Sequence, residues 1–184
     1  MKKRLVESLE VTMVADPNGS ILIDNACSEW GSVPVPQLSV LVVHLRYLAM
    51  IHQTHHWTAK GDPFYGDHIM FGEMYSKTQD EIDAVAEKAV SFGTTSNVDL
   101  TLQTTQLMRL VQGYGMSQTI PQSTELAKRS LMAEINFIKT LNVLVCAMKE
   151  NGTLTNGMEN LLGGIEDTHE GHVYKLKQRC LPGM

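Results

Sequence analysis

At 184 residues, with 43% hydrophobic and 19% charged side chains, the chain fits one domain that buries a single core. A net charge of −5 argues against nucleic-acid binding, whose affinity comes largely from counterions displaced by a basic stripe. No apolar run approaches the roughly 20 residues of a membrane span, so no membrane partner is expected.

The N-terminus, MKKRLVESLEV, begins with Lys2, Lys3 and Arg4 but carries Glu7 and Glu10 where a signal peptide needs its apolar core. Export is not indicated, and the cytoplasm is the expected location. The same three basic residues are too few to support DNA binding through the tail. Residues 1–36 read as an N-terminal extension: Leu9–Val14 and Ile21–Ile23 flank Asp16-Pro17-Asn18-Gly19, whose Pro and Gly suit the turn of a β-hairpin. Pro34 and Pro36 close the extension and precede a helix start, so residues 37–184 form the main domain.

From Gln37 to about Ala59, Leu38, Leu41, Val42, Leu45, Leu48 and Ala49 recur at spacings of three and four and lead to His52 and His56. His44 and His52 continue this apolar face into the interior. His55 projects about 100° from His56 and is expected to face solvent. Lys60-Gly61-Asp62-Pro63 breaks the helix. A second helix from about Phe64 to Phe92 carries Phe71, Met74, Tyr75, Ile82, Val85 and Ala89, with Gly93 as its stop.

Residues 93–121 form a long connector, inside which Asp99 to Gln112 has the spacing of a short helix. A third helix spans about Gln122 to Glu150. After Asn151-Gly152, Thr153 is the expected cap of a fourth helix to about Arg179, which carries four glycines, Gly157, Gly163, Gly164 and Gly171. Four amphipathic helices with one long crossover between the second and third describe an all-α, ferritin-like four-helix bundle. Cys27, Cys146 and Cys180, odd in number and widely spaced, make neither a disulfide framework nor a zinc pattern. They read as buried or incidental thiols of a reducing compartment, with a cross-link from Cys180 to a neighbouring subunit under oxidation as the lesser reading.

The stretch His56-Trp57-Thr58-Ala59-Lys60-Gly61, followed by Phe64, His68, Asp83 and Glu87, resembles the signature of the Dps family, the mini-ferritins that oxidise and store iron. That signature has Asn where Thr58 stands, and Asp where Gly72 stands. The remaining positions agree. The resemblance implies that His56, His68, Asp83 and Glu87 bind iron between subunits. There iron(II) is oxidised by peroxide or oxygen, and ferric iron collects inside a hollow dodecamer. Trp57 would pack over the site.

Geometry agrees that one chain is not enough. Asp83 and Glu87 lie on the second helix about 22–28 Å beyond His68 at 1.5 Å per residue, farther than any side chain reaches. A second subunit packed antiparallel brings its carboxylates to the first subunit's histidines, in the two-fold arrangement commonest among oligomers. Imidazole with carboxylate suits iron(II), and carboxylates stabilise iron(III). Gly72 removes a family carboxylate beside His68, so the second iron position is expected to be weak or absent.

Other readings stand beside this one. Asp83 and Glu87 also fit a solvated acidic face shared with Asp80 and Glu81. Glu166 and His169 have the Glu-x-x-His spacing of di-iron bundles, level with His52, Glu73 and Glu134 on the other helices. An iron site inside one subunit is therefore a further reading. However, Glu170-Gly171-His172-Val173-Tyr174 resembles a Dps motif in this region, and the structural role is favoured there. A structural or assembly protein that kept the bundle and lost the chemistry is the reading from another class.

Overall fold

The computed structural model describes residues 13–15, 21–23, 35–92, 95–113 and 123–181. Within the N-terminal extension, β1 (Met13–Ala15) pairs antiparallel with β2 (Ile21–Ile23), Val14 opposite Leu22. The connecting residues 16–20, and hence the turn of the expected hairpin, lie outside the described residues, as does most of the extension.

Five α-helices follow. They are α1 (Val35–Thr58), α2 (Phe64–Ser91), α3 (Leu100–Gly113), α4 (Ser123–Glu150) and α5 (Asn156–Cys180), with a 3-10 turn at Thr95–Val98 before α3. α1 begins two residues earlier than expected, with Pro36 inside its first turn, where a missing N–H costs nothing. Gly61, at a φ of 81°, reverses the chain between α1 and α2, and Gly152, at 65°, does so between α4 and α5. The cap of α5 is Thr155 and not Thr153: its hydroxyl accepts from the Met158 N–H at 3.2 Å. Thr153 instead donates to the Met148 carbonyl and seals the end of α4.

Two helix pairs build the bundle, α1 against α2 and α4 against α5, and α1 also packs on α4. The connector helix α3 lies against α1, where Arg46 Nε donates to Gln103 Oε1 at 2.6 Å. With neighbours on so many sides, α1 is buried almost all round from Gln37 to Ala49, Arg46 being exposed. The single apolar stripe read from the sequence is thus only part of its buried surface. Leu41, Leu45, Leu48, Val85, Leu141, Leu144 and Ile165 belong to the main core. By length and composition Thr124–Glu150 would pass as a membrane-crossing helix, but half of its most apolar window is buried inside the bundle.

The far end of α5 is tied to the start of α2. Arg179 donates from Nε and a terminal nitrogen to both oxygens of buried Asp67, at 2.6 and 3.0 Å. Burial of Phe71, Met74, Leu126, Ala127 and Leu176 forms a second small core at this end.

Candidate metal centres

At the turn between α1 and α2, His56 and His68 stack with ring centroids 3.8 Å apart. Each ring is locked by the other residue's backbone. The Nδ1–H of His56 donates to the His68 carbonyl at 2.7 Å, and the Nδ1–H of His68 donates to the His56 carbonyl at 2.9 Å. A neutral imidazole with its proton on Nδ1 keeps its lone pair on Nε2, the arrangement common to metal-binding histidines. Phe64 stacks on the outer face of His68, and Tyr75 meets His56 edge-on.

Gly72 belongs to this arrangement. A Cβ there would sit 3.1 Å from His56 Nδ1 and 3.2 Å from Cε1. The His56 ring crowds the place where a side chain at position 72 would begin. Asp83 and Glu87 are exposed on α2, as is Asp80. Trp57 is 68% exposed in the single chain, next to exposed Phe64, Tyr65 and Ile69.

A second constellation lies deeper, one turn back along α1, and draws on all four long helices. Glu134 on α4 is fully buried and accepts three hydrogen bonds. His52 Nε2 donates to Oε1 at 2.7 Å, His172 Nδ1 to Oε1 at 3.0 Å, and His169 Nδ1 to Oε2 at 2.6 Å. The other nitrogen of His169 reaches Glu81 Oε2 on α2 at 2.9 Å. Behind His52, Ser130 Oγ lies 3.2 Å from its Nδ1 and 2.7 Å from Nδ1 of His55. Phe71 stacks on His52, and Phe137 covers His169.

The electrostatics follow from this geometry. Burial alone would raise the pKa of Glu134, but hydrogen bonds from His169, His172 and His52 override it and hold the acid well below its usual range. Burial likewise works against a proton on His169, yet the bonds to Glu134 and Glu81 outweigh it and raise its pKa to about 9. His169 is therefore an imidazolium bridging two carboxylates. His55 is driven down to about 3 by burial, with His52 and Arg129 adding to the effect, and His44 down to about 4 by burial.

Three expectations are corrected here. His55 does not face solvent: it is buried beside Phe71 and Ser130. Glu166 is not part of the constellation, since its carboxylate accepts from Asn142 near the surface. Glu73 is exposed and pairs with Lys175 at 3.1 Å. Glu81 and His172 take those places. Their signal was present in the sequence, because Glu81 falls in the row Met74, Thr78, Glu81, Val85, and His172 in the row Ile165, His169, His172, Leu176, all buried.

No family model and no curated protein matches the sequence. Solved structures match the fold. DpsC from Streptomyces coelicolor is 17% identical, with a TM-score of 0.69 over 82% of this chain and 85% of that one. Dps from Thermosynechococcus elongatus is 16% identical, with a TM-score of 0.66 over 82% and 91%. A Dps protein from Vibrio cholerae O1, described as a member of a broad superfamily of ferritin-like diiron-carboxylate proteins, is 14% identical, with a TM-score of 0.62 over 91% and 97%. The connectivity of the helices, the crossover with its short helix and these likenesses agree: the chain has the ferritin-like fold of the Dps proteins.

Proposed function

We propose that the protein is a mini-ferritin of the Dps kind, which oxidises iron(II) at sites shared between two subunits and stores ferric iron in a hollow homo-oligomer, a dodecamer. The observation that carries this reading is the reciprocal pinning of His56 and His68, which commits each Nδ1–H to a carbonyl and leaves each Nε2 with its lone pair. Asp83 and Glu87 of a second copy supply the carboxylates. Exposed Trp57, Phe64, Tyr65 and Ile69 beside the histidines form an apolar rim that a second copy would cover. The chain then divides into an N-terminal extension, residues 1–36, and the bundle, residues 37–184, and works in the cytoplasm.

Iron(II) is the substrate. Two ions give up one electron each, and a peroxide takes both with two protons, its O–O bond breaking to leave two waters. The protein holds iron(II) on imidazole and stabilises the ferric product with carboxylate. With Gly72 in place of an acid, one iron position carries fewer ligands, and turnover is slow. Acidic pore residues would draw the cation inward by focusing the field.

Aerobic or peroxide addition of iron(II), followed by ferric absorbance, tests the reaction. Glu87→Ala and His68→Ala should lower the initial rate at least about tenfold while leaving the helix content unchanged. No rate above buffer for the unmodified protein, or a monomer by light scattering, removes the proposal and favours a structural role for the bundle.

A further inference from the structure

We infer that His52, Glu134 and His172 form a second metal-binding site, held within one chain, for a divalent first-row transition ion that takes imidazole and carboxylate ligands. Their ligand atoms lie within 4.8 Å of one another, with His52 Nε2 and His172 Nδ1 at 2.7 and 3.0 Å from the same Oε1. An ion bound tetrahedrally at about 2.0–2.2 Å holds neighbouring ligand atoms about 3.3–3.6 Å apart. The two contacts to Glu134, at 2.7 and 3.0 Å, open by roughly 0.3–0.9 Å to admit the ion. Two imidazoles and one carboxylate make a donor set used by zinc(II) and by non-haem iron(II).

The atoms behind the ligands are already anchored. Glu134 Oε2 is held by His169, and His52 Nδ1 by Ser130. With an ion on Nε2, His52 carries its proton on Nδ1 and donates it to Ser130 Oγ, whose own hydroxyl proton then turns to His55 Nδ1. The chain His52–Ser130–His55 runs in either direction without gaining or losing charge. Such support behind a metal-binding histidine fixes its tautomer and orientation.

A second observation points to a cation. Glu81 is 5% exposed, and its Oε1 has no hydrogen-bond partner. Two buried carboxylates, Glu81 and Glu134, face one imidazole that bridges both, His169. A buried carboxylate oxygen left without a partner is costly, and a cation in the cluster would pair with it. The site shares no ligand with His56 and His68, one helical turn or about 6 Å away along α1, and it stands whether or not the inter-subunit reading does.

The test uses the full chain carrying His56→Ala and His68→Ala, which removes the imidazoles at the helix turn. Chelator-stripped protein is titrated with cobalt(II) and followed by its visible ligand-field bands. One cobalt per chain is expected, displaced by zinc(II), and X-ray absorption of the zinc form should show two imidazole ligands. Adding His172→Gln should weaken binding about 100-fold or more, and Ser130→Ala about tenfold, with circular dichroism confirming the helices. Absence of stoichiometric cobalt, a zinc spectrum without imidazole, or a folded His172→Gln protein of unchanged affinity overturns the inference. If His172→Gln does not fold, the absorption spectrum of the parent decides. Iron oxidation assayed on the same parent separates the two sites: its loss with cobalt retained supports both, and its persistence counts against the inter-subunit site alone.

Discussion

Raising the pH from near neutrality removes the proton that His169 shares between Glu134 and Glu81, and the bundle should lose stability over a defined window. The folded-state pKa of His169 is raised from 6.5 to about 9. A raised value means that the contribution is complete below about pH 6.5 and is lost as the pH climbs through 9. At 1.36 kcal/mol per unit, that interval amounts to about 3 kcal/mol. Solvent screening does little to reduce it, because the His169 ring is 0% exposed. In a chain of this size each kcal/mol moves Tm by about 2–4 °C, so Tm should fall by roughly 6–12 °C between pH 6.5 and 9. The assay is differential scanning calorimetry of metal-stripped protein at one fixed concentration, since subunit association also shifts Tm. His169→Gln should flatten the alkaline limb. A flat limb in the unmodified protein, or an equal fall in His169→Gln, would refute the reasoning. The acid limb has other causes. His44 and His55 have folded values lowered to about 4 and about 3, so their share is present above about pH 6.5 and is lost as the pH falls through those values. Glu134, also depressed, adds to the loss below its ordinary value of 4.5.

Two further outcomes follow from single positions. Gly163→Ala places its methyl in open space, whereas Gly72→Ala drives one to 3.1 Å from His56. The first should stabilise by about 0.5–1 kcal/mol in urea titrations, and the second should show no gain; equal gains at both would mean that the His56 ring is not held as described. Asp67→Asn breaks the paired contact with Arg179 that ties α5 to α2. With Arg179 partly open to solvent, the cost should be about 1–2 kcal/mol, read as a lower denaturation midpoint, and an unchanged midpoint would assign that pair no role.

Much of the fold could be read from spacing. The rows through Leu38, Leu41 and Leu45, through Phe71, Met74 and Ile82, and through Leu141 and Leu144 each mark a helix, and all of these residues are buried. Breaks at Gly61 and Gly152 were readable because only glycine takes those backbone angles cheaply. His56 and His68 were readable as a pair because a short loop between two helices must bring their ends together. The buried constellation was harder. Glu73 and Glu81 differ by eight residues, about 12 Å along the axis and about 80° around it, and the sequence offers both as acids on one helix. The first pairs with Lys175 in solvent, and the second meets His169 in the core.

By itself the sequence determined which segments are helices, where they reverse, and which imidazoles gather at the turn, because those properties depend on neighbours a few residues apart. Only the tertiary structure decided that His52, Glu81, Glu134, His169 and His172 converge, and that the His56 ring fills the space beside Gly72. Helix rotation and axial offset are set by the packing of whole helix faces, and a shift of one residue turns a side chain by about 100°. That choice is made collectively by the core, and no local spacing contains it.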